Sequence, residues 1–154
     1  MHRIATPLAA LLCALSLLVP AAARSATPAP DAKPAAKHKV AKQRVVFQVS
    51  DADPAKWNLA LNNARNVQDA LGKDNVQIEI VAYGPGLGML KRESKVEGRL
   101  AEALDNNVGL VACENTMANT HTTKEDMYSG ISYTPAGVIH IMKREREGWA
   151  YIRP

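Results

Sequence analysis

Cys113 is the residue of this sequence best suited to covalent chemistry. It follows the apolar residues 108–112, VGLVA, and precedes a polar segment that begins ENTMANTH. A cysteine in that setting is either a small buried hydrophobe or a nucleophilic thiol. The other cysteine, Cys13, lies in an N-terminal apolar run that we expect to be removed. Cys113 then has no partner for an internal disulfide.

The reactivity of this thiol depends on what lies around it in the fold. A helix that starts near Asn115 and Thr116 would direct its first amides at the sulfur and lower the pKa of the thiol. The charged side chains oppose one another, because His121 and Lys124 would favour the thiolate while Asp51, Asp53 and Glu114 would disfavour it. The sequence leaves the sign of the net pKa shift open.

The remaining polar motifs do not predict a cofactor or a metal. The glycine-rich segment 83–88, YGPGLG, lacks the Lys-Ser/Thr pair and the spacing of phosphate-binding loops, so we interpret it as a tight turn from strand to helix. No Ser-His-Asp set has suitable spacing. Beyond the predicted signal peptide, which contains His2, the histidines also lack partners at metal-ligand spacing, and they are His38, His121 and His140.

Two features near the C-terminus have structural interpretations. We expect His140 on the surface or at an interface, and residues 143–148, KREREG, as the solvated end of a helix whose cations suit its C-terminal dipole. Trp149 and Tyr151 alternate along a predicted edge strand, where they either pack in the core or form a subunit contact.

Residues 1–23 have the pattern of a secretory signal peptide. A basic start, MHR, precedes the apolar run IATPLAALLCALSLLVP, and Ala21-Ala22-Ala23 supplies small residues at a cleavage point. The run is short for a membrane-spanning helix, which takes about 20 apolar residues. We therefore expect cleavage, a periplasmic or secreted protein, and no stable membrane span.

Residues 24–43 are rich in Ala, Pro and Lys and predict a disordered basic tether. Residues 24–44 contain six Lys or Arg and one Asp, whereas residues 45–154 contain twelve Lys or Arg and fourteen Asp or Glu. The positive charge therefore belongs to the tether, and the remainder of the chain gives no indication of nucleic-acid binding.

Residues 44–154 predict one α/β domain, because strand and helix patterns alternate along them. The predicted strands are 44–50, 75–83, 107–113, 131–134 and 149–153. The first predicted helix is 54–71, with Asp53 as its cap, Pro54 at its start and Gly72 after its end. Further helix starts are indicated by the pairs Ser94 and Glu97, Thr122 and Glu125, and Thr134 and Pro135.

This alternation predicts a three-layer αβα fold with a five-stranded, mainly parallel sheet in the flavodoxin-like order 2-1-3-4-5. In that order the first and third strands are neighbours, and ligands bind where the winding reverses between them. The first strand ends at Ser50-Asp51 and the third at Cys113. We therefore expect Ser50, Asp51, Asn115 and Thr116 to line a pocket around Cys113.

Several collinear segments carry a family resemblance: VVFQVSD, ALNNARNV, IEIVAYGPGL, LVACENTM and TPAGVIHIMKREREGWAYIRP. With them, residues 44–154 resemble the DsrE/DsrF-like family, also described as the YchN-like fold. The chain is most similar to members that carry a signal peptide and end in Gly-Trp-Ala-Tyr-Ile-Arg-Pro. The resemblance implies a three-layer α/β fold and assembly into trimers or hexamers.

For the sulfur-relay members, the resemblance implies persulfide transfer through a cysteine after the third strand, a position that Cys113 matches. Those members are cytoplasmic, whereas this chain has the pattern of an exported protein. Many relatives have His before Gly-Pro-Gly, where this chain has Tyr83 followed by Gly84. We expect both residues to line the pocket around Cys113.

Two functions stay open on these grounds. One is a sulfur carrier that uses Cys113 without cofactor, metal or independent turnover, exchanging sulfur with a donor or acceptor protein thiol. The other is a binding or assembly module with a structural cysteine. A redox enzyme is disfavoured, because no resolving cysteine would remain after signal cleavage.

Overall fold

A computed structural model of the protein describes residues 42–154, so the predicted signal peptide and nearly all of the predicted tether lie outside the described residues. The strands are β1 Gln43–Val49, β2 Val76–Ala82, β3 Val108–Cys113, β4 Ser132–Thr134 and β5 Ala150–Ile152. The α-helices are α1 Pro54–Leu71, α2 Glu97–Asp105, α3 Glu114–Asn119 and α4 Gly137–Arg146. Short 3₁₀ helices span Gly84–Leu90 and Lys124–Asp126. The predicted α/β class is confirmed.

The strands form one sheet, in the order β4-β3-β2-β1-β5, and each neighbouring pair is parallel. The predicted order 2-1-3-4-5 is wrong, because β2 lies between β1 and β3. The connections from β1 to β2, from β2 to β3 and from β3 to β4 each lead to the next strand in the same direction across the sheet. Only the connection from β4 to β5 crosses back to the opposite edge, beside β1. Strand–helix alternation predicts parallel pairing, but it leaves the direction of each step to be decided by packing.

The direction of these steps decides which face each helix covers. Right-handed connections place α1, α2 and α3 on one face, and the returning connection places α4 on the other. The connections that leave β3 and β4 therefore go to opposite faces, and the crevice typical of such a reversal lies between these two strands. Cys113 pairs with Thr134 at their carboxyl ends. The thiol thus lies at a reversal point, although between different strands from those predicted.

Helix α1 has the predicted bounds because its signals are local. The carboxylate of Asp53 accepts a hydrogen bond from the amide of Ala55 at 2.8 Å, and Pro54 occupies the first turn. Gly72 follows the helix with φ of 82°, a conformation that favours glycine. Its inner face buries residues at helical spacing, namely Trp57, Ala60, Leu61 and Ala64.

Two predicted capping boxes are wrong. Val96 precedes α2, and the Ser94 hydroxyl accepts from the Val96 amide at 3.4 Å without capping the helix. The pattern at Thr122 is replaced by a capping box one residue later, at Thr123 and Asp126, which begins a 3₁₀ helix. Both errors arise because short polar residues at capping spacing also suit turns.

Helix α4 also begins later than predicted. Thr134 pairs with Cys113 in the sheet, so it is still a strand residue and does not cap the helix. Ala136 precedes the first turn, which Gly137 opens. The two residues between strand and helix set the position of the Gly137 amide relative to the end of β3.

The two faces of the sheet are packed differently. Beneath α1 and α2 lies the larger core, which includes the fully buried side chains of Phe47, Ile78, Ile80, Leu100 and Leu110. The α4 face has a smaller cluster of Val46, Val81, Val111, Ile141 and Trp149. Among residues 42–154, no helix combines the length and apolar character needed to cross a bilayer.

Candidate functional site

The Cys113 side chain lies on the face of the sheet that α4 covers, at the end of β3. Its sulfur accepts a hydrogen bond from the Gly137 amide at 3.3 Å, across 24 residues of sequence. Cys113 is also the residue from which α3 begins. The hydrogen bond from Gly137 joins the sulfur to the first turn of α4. The side chain is buried, with 5% of the residue exposed.

The pKa of the Cys113 thiol is lowered from its usual value. Burial alone would raise this pKa, and it is the largest single influence. It is outweighed by hydrogen bonds from the Thr116 side chain, the Gly137 amide, and the amides of Thr116 and Asn115, all of which favour the thiolate. Hydrogen bonds therefore decide the sign of the shift in the pKa of Cys113, which the sequence left open. Lys124 instead lies 3.9 Å from the Glu114 carboxylate.

Thr116 links this thiol to the end of β2. Its hydroxyl accepts a hydrogen bond from the Gly84 amide at 2.9 Å. The same side chain favours the thiolate of Cys113 and so lowers the pKa of that thiol. Gly84 has φ of 52° and opens the 3₁₀ helix that follows β2. YGPGLG therefore leads tightly from strand to helix, as we interpreted it. The amide of its Gly84 is the group that donates to Thr116.

Asn115 lies on the side of the crevice next to the loop between β4 and α4. Its amide donates to the Pro135 carbonyl at 3.1 Å, which joins the start of α3 to the loop between β4 and α4. The structure therefore places Asn115 and Thr116 beside the cysteine and Gly84 against Thr116, and all three are among the residues predicted to line the pocket. The predicted site lacked Gly137, whose only sequence signal is its place in TPAG, a segment that we interpreted as a helix start.

Tyr83 closes the crevice next to Gly137. A methyl group built on Gly137 would lie 3.1 Å from Tyr83 Cβ and 3.3 Å from Cys113 Cβ, so glycine permits this close approach. The pKa of Tyr83 is raised, first by burial and then by Tyr151, against an opposing effect of Arg153. The phenol is therefore neutral near pH 7.

Ser50 and Asp51 lie further from the thiol than predicted. Two strand spacings separate β1 from β3, about 10 Å, because β2 runs between them. The Ser50 hydroxyl accepts from the Gln48 side chain at 3.1 Å, and the Asp51 carboxylate pairs with Lys56 at 3.0 Å. Asp51 still acts on Tyr83, whose pKa is raised by both Asp51 and Cys113.

A buried ionic cluster beneath α4 escaped the sequence analysis. The Glu79 carboxylate accepts from Arg144 Nε at 2.8 Å and Nη2 at 2.7 Å, and from His140 Nε2 at 2.7 Å. His140 is not a free surface residue, because its ring turns inward to Glu79 with 17% of the side chain exposed, and KREREG is only partly solvated because Arg144 turns inward as well. A signal was present, since Gly137, His140 and Arg144 are spaced to share one helix face.

A groove of about 260 Å³ lies between α1 and α2, on the opposite face of the sheet from Cys113. The two arginines that line it already have partners: Arg65 lies 3.4 Å from Glu102, and Arg99 donates to Asn58 Oδ1 at 2.6 Å. We interpret it as a solvated furrow between helices. Within residues 42–154, no group of three or more His, Cys, Asp or Glu side chains could hold a metal ion.

No protein-family model and no curated protein matches the chain. Among solved structures, it is similar to MTH1491 from Methanobacterium thermoautotrophicum, a protein of unknown function, with 38% identity over 73% of this chain and 99% of that one and a TM-score of 0.70. The chain belongs to the same family as MTH1491. BT1422 from Bacteroides thetaiotaomicron, a conserved protein of unknown function, is 14% identical over 75% of this chain and 98% of that one, with a TM-score of 0.61, and shares the fold.

Proposed function

We propose that this chain is a sulfur carrier that holds a sulfane sulfur on Cys113. One observation carries the proposal: the sulfur lies at the carboxyl edge of the sheet, where the Gly137 amide donates to it at 3.3 Å and neighbouring hydrogen-bond donors lower the pKa of the thiol. These donors stabilise an anionic sulfur, which is the form that attacks a sulfur electrophile. The resemblance to the DsrE/DsrF-like family supports the same reading.

The transfer needs no external oxidant. The Cys113 thiolate attacks the outer sulfur of a donor persulfide, a new S–S bond forms on Cys113, and the S–S bond of the donor breaks. The donor leaves as a thiolate that takes up a proton. In the second step an acceptor thiolate attacks the outer sulfur, and the Cys113 thiolate is the leaving group. The donors around Cys113 favour that release, because a thiol with a lowered pKa leaves more readily.

The absence of a second cysteine from residues 42–154 suits this role. Cys113 is the single cysteine among residues 42–154, so no resolving thiol of the same folded part attacks the persulfide. The sulfane sulfur therefore stays on Cys113 until an external thiol removes it. A dithiol redox cycle within these residues has no second partner.

The test is mass spectrometry of the native protein after brief treatment with polysulfide. We expect a mass increase of about 32 Da, one sulfur atom, located on the peptide that contains Cys113 and removed by a reducing thiol. Cys113→Ser is the matched control, because it keeps the size of the side chain and removes the sulfur. Failure to form the adduct, or an adduct on Cys113→Ser, would overturn the proposal.

The burial of Cys113 favours a second candidate, a binding or assembly module with a structural cysteine. Only 5% of the residue is exposed, which a purely structural thiol requires and a carrier must overcome by local opening. Labelling native and denatured protein with a neutral alkylating agent separates the two. Native labelling at least as fast as that of the denatured chain at neutral pH supports the carrier, and native labelling several orders of magnitude slower supports the module.

We propose further that the chain is exported and self-associates. The signal-peptide pattern of residues 1–23 supports export, and N-terminal sequencing of protein recovered from the producing cell would show whether cleavage follows Ala23. Val138, Ile139 and Met142 expose 51%, 60% and 42% of their surfaces on α4, which supports a contact with a second copy. Light scattering of the protein and of Ile139→Lys tests that contact.

A further inference from the structure

Glu79 is a buried carboxylate in the middle of β2, and it binds only α4 side chains. Its two oxygens accept three hydrogen bonds, two from Arg144 and one from His140. The Arg144 guanidinium carbon lies 4.8 Å from the centre of the Trp149 ring, and Arg144 Nη1 donates to Glu147 at 2.9 Å. The guanidinium is therefore fixed on several sides, and so is the helix that carries it.

The same face of α4 carries the group that contacts Cys113. Gly137, His140 and Arg144 lie at positions i, i+3 and i+7, which places them along one side of a helix. At the start of the helix, the Gly137 amide donates to the Cys113 sulfur. Further along the same side, His140 and Arg144 bind the Glu79 carboxylate. The helix thus connects the carboxylate to the thiol.

Apolar packing contributes little to holding α4 on the sheet. Ile141 and Gly137 are its only buried residues, whereas Val138, Ile139 and Met142 are exposed. Helices normally gain most of their stability from a buried apolar face. In α4 much of that attachment is ionic and is concentrated on Glu79.

The neighbouring strand leaves room for this carboxylate. Gly109 of β3 is paired with Glu79, and a methyl group built on Gly109 would lie 3.1 Å from Glu79 Cγ. A larger side chain at position 109 would push the carboxylate away from β3. The glycine and the carboxylate therefore fit each other across the two strands.

We propose that Glu79 is a positioning residue for Cys113: by holding His140 and Arg144, it fixes α4 so that the Gly137 amide stays on the cysteine sulfur. This deepens the proposed function by assigning a role to a residue outside the pocket, and it rests on that function for its purpose. Its test reads the acidity of the thiol and does not depend on sulfur transfer.

When the Glu79 charge is removed, the positioning role and a direct charge effect predict opposite shifts in the pKa of Cys113. Cys113 lies four residues beyond Gly109, the partner of Glu79, a distance of about 13 Å along the sheet. Removing the Glu79 charge and leaving Arg144 would, through space, weakly favour the thiolate. Loosening α4 would instead withdraw an amide from the sulfur and raise the pKa of the thiol. The direction of the shift therefore distinguishes positioning from a direct charge effect.

The experiment measures the rate of Cys113 alkylation by iodoacetamide against pH, from neutral to alkaline, in wild type and Glu79→Gln. If the pKa of Cys113 rises by about one unit, the thiolate fraction at neutral pH falls about tenfold while its nucleophilicity rises about threefold. We expect alkylation about threefold slower at neutral pH and about threefold faster on the alkaline plateau. A change that merely exposed the sulfur would accelerate the reaction at every pH.

Glu147→Gln is the matched control. It removes the other carboxylate on Arg144 while leaving Glu79 in place, so it should leave the profile unchanged. Circular dichroism establishes that the variants are folded. If Glu79→Gln does not fold, His140→Gln decides, because it removes one of the three hydrogen bonds and should shift the profile less but in the same direction.

An unchanged or lowered pKa of Cys113 in a folded Glu79→Gln, or in His140→Gln where that variant decides, would overturn the inference. So would an equal shift in Glu147→Gln. Persulfidation failing while the alkylation profile shifts as expected counts against the sulfur-carrier function alone. Persulfidation succeeding with an unshifted profile counts against the positioning role alone.

Discussion

Replacing Gly86 by Ala should destabilise the protein strongly, because Gly86 touches the end of β1. A methyl group at this position would lie 2.3 Å from the Val49 carbonyl oxygen and 2.8 Å from the Ser50 amide nitrogen. Both atoms belong to the backbone, so no side chain can rotate to make room. The 3₁₀ helix that contains Gly86 must retreat from β1 by about 1 Å to reach ordinary contact distance.

That retreat would strain two hydrogen bonds as well as the packing. The Tyr83 amide donates to the Val49 carbonyl at 3.1 Å, and the Gly84 amide donates to Thr116 at 2.9 Å. Each bond contributes about 1 kcal/mol, and overpacking costs about 1–3 kcal/mol. We therefore expect Gly86→Ala to lower the free energy of unfolding by about 3–5 kcal/mol, a large part of the stability of a small domain.

Urea unfolding monitored by circular dichroism measures this loss. The matched control is Gly98→Ala in α2, where a methyl group meets no atom within 4 Å. We expect this variant to gain up to about 1 kcal/mol from helix propensity. A loss below about 1 kcal/mol for Gly86→Ala would refute the reasoning. It would mean that the 3₁₀ helix moves away from β1 at little cost in free energy.

Three further predictions concern the thiol and the core. Thr116→Val should raise the pKa of Cys113 and slow its alkylation at neutral pH, whereas Thr116→Ser keeps the hydroxyl and should match wild type. Because the pKa of Cys113 is lower in the folded protein, the stability that the thiolate adds is complete above the unfolded pKa of about 8.5 and is lost as pH falls through the folded value. The stability of wild type relative to Cys113→Ala, from urea unfolding at several pH values, should therefore rise with pH, and a constant difference would contradict the shift. Phe47→Ala should lower the free energy of unfolding by about 3–5 kcal/mol, because Phe47 is fully buried; a loss under about 2 kcal/mol would show that the core relaxes around it.

Features whose causes are local could be predicted from the sequence. Helix α1 has the predicted bounds because Asp53, Pro54 and Gly72 act within one turn of its ends. The same argument failed at Ser94 and Thr122. There, short polar residues satisfied nearby amides in turns, and packing decided where each helix began.

Glu79 shows what local pattern could not reveal. Alternation with Ile78 and Ile80 makes it look like a residue on a solvated face of a strand. It is buried because α4, more than 50 residues further along the chain, lies over the centre of β2 and supplies Arg144 and His140. The burial of a charge depends on a partner that only folding brings near.

The sequence by itself determined the α/β class, the strands, and the position of one thiol after β3, since these follow from hydrophobic periodicity and turn residues. The tertiary structure decided the strand order and the groups around that thiol. Cys113 receives an amide from Gly137 and is linked through Thr116 to Gly84. These contacts span 24 and 32 residues of sequence, and they arise only when three strand ends meet at one edge of the sheet.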